Sequence, residues 1–234
     1  MRELAVPRVA NLTPLLAAIA SAPAARVIRS LGLGDAETVS DQKVTPDLAA
    51  LWPAMPSLKR MRLRGIDVRF AGEVPLQQLE LEASSYYGRR SLETLADAQW
   101  PQLAAFSLVF RDNDLEGTRS AGQALVRFLS GAFPALRLLE VSGGILDPRA
   151  PAAYVMFELP ALLARLESLG LSDNLLDDDN ARLIASRLAS RPPLRSLDVS
   201  RNRLSHVGIG LLAPFATDFR ADGPHRELTR EECT

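Results

Sequence analysis

The sequence predicts an α/β fold, a solenoid with a parallel sheet of about seven strands on its concave face and helices on its convex face. Three observations predict it. The pattern L-x-x-L-x-L-x-x-N-x-L occurs twice in full, at Leu166–Leu176 and Leu194–Leu204, in copies that begin 28 residues apart. The segments between copies carry apolar residues at helical spacing. Hydrophobic residues make up 47% of the chain but aromatics only 6%, which suits many thin leucine- and alanine-rich layers better than one large aromatic core.

The first element, residues 1–25, reads as an N-terminal helix or cap, with Leu15, Leu16 and Ile19 on one face. Leu12–Ala25 also has the apolar, small-residue texture of a signal peptide. Glu3 in the leader, Pro14 in the apolar run and Pro23 near the cleavage position favour the helix. Seven copies follow over residues 26–213, starting at Ile28, Leu58, Leu76, Leu103, Leu136, Leu166 and Leu194, at spacings of 30, 18, 27, 33, 30 and 28. Each x-L-x-L core alternates as a half-buried strand does. One strand and one helix cannot bury their apolar faces alone, so the copies must stack. The Asn of the pattern turns the chain out of the strand through its side chain.

Helices return the chain between strands. Thr45-Pro46-Asp47 opens a helix over Leu48–Ala54, with Thr as cap and Pro in the first turn. Leu125, Phe128 and Leu129 mark another, and Leu159, Leu162 and Leu163 a third. Asp177–Asn180 caps the helix that carries Ala181, Leu183, Ile184 and Leu188. Residues 64–75 are too few for a helix and read as a loop-like return. Pro56, Pro101 and Pro134 each stand two residues before a strand leucine and end the preceding helix. Met55, Trp100 and Phe133 come just before them and are expected beneath the sheet. The repeat domain thus spans 1–216, and 217–234 is a polar tail.

The phrase Phe133-Pro-Ala-Leu136-Arg-Leu-Leu139-Glu-Val141 resembles the strand of a ribonuclease-inhibitor-like leucine-rich repeat. So do Leu166–Asn174 and Pro193–Asn202. The variant is similar to leucine-rich-repeat proteins of bacteria, over about residues 26–213 and most closely from 133 onward. The resemblance implies a horseshoe and a binding role, and brings no catalytic residues. Five copies depart from the pattern, with Ala36, Ile66, Ser84, Arg111 and Gly144 at the Asn position. Residues 82–90 and 110–116 read as loop insertions, so the N-terminal half is expected to be irregular.

Composition excludes several functions. A formal net charge of −1 gives no global field to attract nucleic acid or acidic lipid. One cysteine, Cys233, cannot make an intrachain disulfide. No apolar run reaches the ~20 residues of a membrane span. His206 and His225 have no partner at metal-ligand spacing, and there is no phosphate-binding glycine loop. The expectation is a non-enzymatic cytoplasmic protein without cofactor or metal. Its partner is another protein rather than nucleic acid or membrane, and the chain serves as a binding module, scaffold or subunit of a larger complex. A GTPase regulator and a self-assembling structural protein are the alternatives.

The outward x positions map the binding face. Copy two offers Lys59, Arg60, Arg62 and Arg64. Copy three is acidic, with Glu80 and Glu82. Copy four is small and apolar and includes Ser107 and Val109, and copy five offers Arg137. Neighbouring basic and acidic rows could equally pair with each other. Tyr86 and Tyr87, beside Arg89 and Arg90, have the chemistry of an interface hot spot.

Overall fold

A computed structural model describes residues 3–6, 12–34, 46–84, 89–111, 115–146 and 159–222. Among these residues, nine parallel strands form one sheet, and they lie across it in chain order. They are β1 (Glu3–Val6), β2 (Ser30–Leu33), β3 (Arg60–Arg64), β5 (Gln78–Ala83), β7 (Ala105–Phe110), β8 (Leu138–Ser142), β9 (Ser168–Gly170), β10 (Leu194–Asp198) and β11 (Ala216–Arg220). Two short strands, β4 (Gly72–Glu73) and β6 (Ala98–Gln99), pair separately. The helices are α1 (Leu12–Ser21), α2 (Leu51–Ala54), α3 (Arg89–Thr94), α4 (Leu115–Leu129), α5 (Pro160–Leu163), α6 (Asp178–Leu188) and α7 (His206–Leu212).

The seven strands expected from the repeat, β2 to β10 without β4 and β6, are present. The sheet is two strands wider than expected, because β1 and β11 extend it at its edges. β11 runs to Arg220, past the boundary at 216. Its Phe219 aligns with Leu197 and its Ala216 with Leu194, so an aromatic and an alanine stand where the pattern has leucines and no leucine pattern announces it. In-register pairing sets Leu31, Met61, Leu79, Phe106, Leu139, Leu169 and Leu197 side by side. Each is at most 2% exposed. Alternation therefore builds the core as continuous apolar rows beneath the strands.

The helices supply the other side of that core. Leu12, Leu16 and Ile19 of α1 are buried in it. Met55, Trp100 and Phe133 lie beneath the sheet as expected. The Trp100 ring stands 5.2 Å from Phe70 and 5.8 Å from Phe128, and its Nε1 donates to the Leu95 carbonyl. Asp177 and Asn180 form a reciprocal capping box at the start of α6. The helix expected over 48–54 begins only at Leu51. Asp47 is held in a bridge to Arg69, with Leu48 N–H donating to the Arg69 carbonyl. The expected insertions at 82–90 and 110–116 are in part regular structure. β5 and β7 run on to Ala83 and Phe110, and α3 and α4 begin at Arg89 and Leu115.

Each strand exit leaves backbone groups in the interior that need partners. Buried Asn202 answers for two turns at once. Its Oδ1 accepts from Asn174 N–H and Leu176 N–H, and its Nδ2 donates to the Leu171 and Val199 carbonyls. Asn174 repeats the device one copy earlier, accepting from Leu146 N–H and donating to the Val141 carbonyl. Where Asn is missing, other groups take over. Gly143, at φ 93°, and Gly144 both donate to the Asp173 carbonyl. A Cβ on Gly143 would lie 1.9 Å from the Phe110 oxygen, so no other residue fits there. The short return after β3 is extended, and α3 serves it. Ser91 Oγ accepts from Val68 N–H and donates to the Ile66 carbonyl, while Thr94 Oγ1 accepts from Phe70 N–H.

Asn202→Ala orphans two buried N–H groups. It is expected to cost about 2–4 kcal/mol in urea unfolding, and a loss below ~1 kcal/mol would show that water replaces the side chain. Asp178 makes a second link between copies. It accepts from the Ser205 hydroxyl and backbone N–H at the start of α7, and these bonds hold its carboxyl below the ordinary value. Its contribution is therefore full at neutral pH and is lost as pH falls through the carboxylate range toward the lowered folded-state value. Asp178→Asn is expected to cost about 1 kcal/mol at neutral pH and to flatten the acid limb of the stability curve, read from urea midpoints at neutral pH and about pH 3.

Candidate protein-interaction face

The residues between the buried rows point away from the helices. They are half-buried or exposed on every strand of the large sheet. Two rows cross the face. One runs Glu3, Ser30, Arg60, Gln78, Ala105, Leu138, Ser168, Ser196 and Asp218. The next runs Ala5, Gly32, Arg62, Glu80, Ser107, Glu140, Gly170, Asp198 and Arg220, along the same pairings.

The register decides how the charges are spent. Arg62 faces Glu80 and donates Nε to it, and the bond and charge of Glu80 hold its guanidinium pKa above the ordinary value. Arg64 lies 3.6 Å from Glu82, which Arg111 also reaches at 2.6 Å from the far side. Arg137 lies 3.7 Å from Glu167 and donates to the Pro134 and Leu136 carbonyls. Lys59 reaches Gln102 at 3.5 Å, and Arg60 is exposed beside it. The basic row of β3 is thus laced to the acidic row of β5, one of the two outcomes the sequence left open.

The middle of the face carries little charge. Ala105, Ser107 and Val109 of β7 stand beside Leu138, Glu140 and Ser142 of β8. Around β1–β3 the face is hollowed. Ala5, Ser30 and Gly32 form a low floor, Arg60, Arg62 and Arg64 stand along one side with Gln78 and Glu80, and Glu3 closes the other. The hollow measures about 360 Å³. The sequence map began at copy two and missed this floor. The available signal was a glycine at an outward position of Leu31-Gly-Leu33.

The remaining expected site residues fall elsewhere. Tyr86 and Tyr87 lie outside the described residues, as does the side chain of Arg89. Arg90 is exposed in the first turn of α3 rather than on the sheet face. Its N–H donates to Asp67, whose carboxyl is pushed up by burial. Among the described residues, no group of three or more His, Cys, Asp or Glu side chains is placed to hold a metal ion. Among them, too, no helix is long and apolar enough to cross a membrane.

No protein-family model matches the chain, and no curated protein matches it. Among solved structures it is similar to a Bacteroides fragilis protein determined by the Northeast Structural Genomics Consortium. The TM-score is 0.66 at 17% identity, over 95% of this chain. The chain spans 65% of that protein's length. At this identity the likeness shows a shared fold.

Because the Arg62–Glu80 pair is solvated, a double-mutant cycle with Arg62→Ala and Glu80→Ala is expected to give a coupling below ~1 kcal/mol that shrinks as salt is added. A larger, salt-insensitive coupling would mark the pair as structural.

Proposed function

We propose that this chain is a non-catalytic protein-binding module, a leucine-rich-repeat solenoid of the ribonuclease-inhibitor-like type. The open sheet face, the concave side of the horseshoe, holds another protein, with the chain acting alone as a scaffold or as one subunit of a larger complex. One observation carries the reading, a wide parallel sheet with helices on one side and none of its outward positions fully buried. Parallel sheets are normally covered on both faces. A bare one has a surface to offer.

The chemistry of that surface supports the reading. Its centre, Ala105, Val109 and Leu138, is half-buried and apolar, and charged pairs flank it, the division found in protein interfaces. The chain order of the strands, the two full repeats and the asparagine bridges between them support the repeat family. Self-assembly by end-to-end stacking is disfavoured. Continuing the register from β11 to the β1 of a second copy would set Asp218 against Glu3, a like-charge pair.

The test uses a partner co-purified from the native host. Val109→Arg and Leu138→Arg together are expected to weaken its binding by more than ~2 kcal/mol, while Arg187→Glu in α6, on the helical side, leaves it unchanged. If instead the Arg187 variant loses the partner and the sheet-face pair keeps it, the helical side is the binding surface.

A further inference from the structure

Deepening that reading, and resting on it, we infer that the hollow over β1–β3 is the seat for an acidic, extended segment of the partner protein. A carboxylate of that segment lies over Gly32, within reach of Arg60 and Arg62. The first argument is Gly32 itself. Glycine inside a strand is unfavourable by roughly 0.5–1 kcal/mol relative to alanine, so it needs a reason. The backbone supplies none, since Gly32 is not among the residues at positive φ. Packing supplies none either. A Cβ built there would meet its nearest neighbours, in Ala5, at 3.8 Å, ordinary contact distance. What a side chain would occupy is the hollow. A strand glycine with room around it marks the close approach of another molecule.

The second argument is charge. Five cations, Arg29, Lys59, Arg60, Arg62 and Arg64, gather at or beside the hollow. Among the described residues, three carboxylates, Glu3, Glu80 and Glu82, oppose them there. Counted over the described residues, that is an excess of two positive charges in a chain whose formal net charge is −1. Lys59 N–H donates to the Arg29 carbonyl, so the two residues are neighbours at the starts of β3 and β2. Arg29 is exposed and makes no ion pair among the described residues, and Lys59 meets only the neutral Gln102. The bond to Glu80 occupies the Nε of Arg62. A carboxylate entering over Gly32 meets guanidinium groups without displacing that pair. So compact an excess suits an acidic side chain or two. A phosphate backbone needs a wider basic surface.

The test is selection from a random peptide library on the purified chain, with affinities of the selected peptides measured at two salt concentrations. Peptides rich in Asp and Glu are expected, and they should bind more weakly as ionic strength rises. Gly32→Leu fills the hollow without touching a charge, and is expected to weaken these peptides about tenfold or more. Arg29→Glu with Lys59→Glu should weaken them comparably. Selection of neutral or basic peptides, or unchanged affinity in folded Gly32→Leu, overturns the inference. So does salt-dependent capture of oligothymidylate in place of acidic peptides. Peptides lost on Val109→Arg and Leu138→Arg but kept by Gly32→Leu would leave the open-face reading standing and remove this seat alone.

Discussion

Everything in this fold depends on satisfying the backbone where strands leave the sheet. All strands run the same way, so the exits stack along one edge, and the N–H and C=O groups there are shut in between neighbouring copies. An unpaired group of this kind costs about as much as a lost hydrogen bond. The solution has a direction. Leu146 N–H is answered by Asn174, and Asn174 N–H in turn by Asn202. Val68 N–H is answered by Ser91, also from the copy that follows. Beyond the last full copy, Arg201 N–H is answered by a carboxylate oxygen of Asp222, so β11 and its exit do for the final turn what an asparagine does for the earlier ones. At these exits a copy is completed by its C-terminal neighbour, whereas Gly34 N–H and Arg111 N–H are answered by the Val6 and Ala83 carbonyls of the preceding strand, so neighbouring copies depend on each other in both directions.

Magnitudes separate the two faces of that sheet. A buried leucine contributes roughly 1.5–3 kcal/mol, and each inward row holds one such residue from nearly every strand. A solvated pair such as Arg62–Glu80 contributes roughly 0–1 kcal/mol. The fold is therefore decided beneath the strands and at their exits. The outer face adds little to stability, so its residues are not fixed by the fold.

How much of this could be read from sequence follows from the same division. The inner rows were legible because alternation with leucine is a strong signal, and seven strands stand where it put them. The edges were not. β11 turns one alanine and one aromatic inward, and β1 has four residues, with Leu4 and Val6 only partly covered. The substitutes for asparagine were also hidden. Ser91 and Thr94 read as ordinary helix residues until the fold lays α3 along the extended return at 66–70. On the outer face, the identities of Lys59, Arg60, Arg62 and Arg64 were plain, but what they face is a matter of register. The short 18-residue copy is what sets Arg62 against Glu80 and Arg64 against Glu82. The hollow was missed because a glycine within a strand reads as a weakness rather than a space.

On the proposed reading, the irregular N-terminal half is the half that holds the partner. Copies six and seven present Ser168, Gly170, Ser196 and Asp198 outward and bridge their own turns with asparagine. In copies one to three the turns are served otherwise, and the outward positions carry the basic excess, the acidic row and the hollow. The apolar patch of β7 and β8 adjoins them. Charge acts over about 8–10 Å at ordinary salt and governs the rate and orientation of encounter more than its final strength. Apolar contact acts only on touching and supplies most of the affinity. A partner drawn by Arg29, Lys59 and the arginines of β3 would arrive with its neighbouring residues over Ala105, Val109 and Leu138. On that proposal, the order of the strands places the charged surface that would steer a partner beside the apolar one that would grip it.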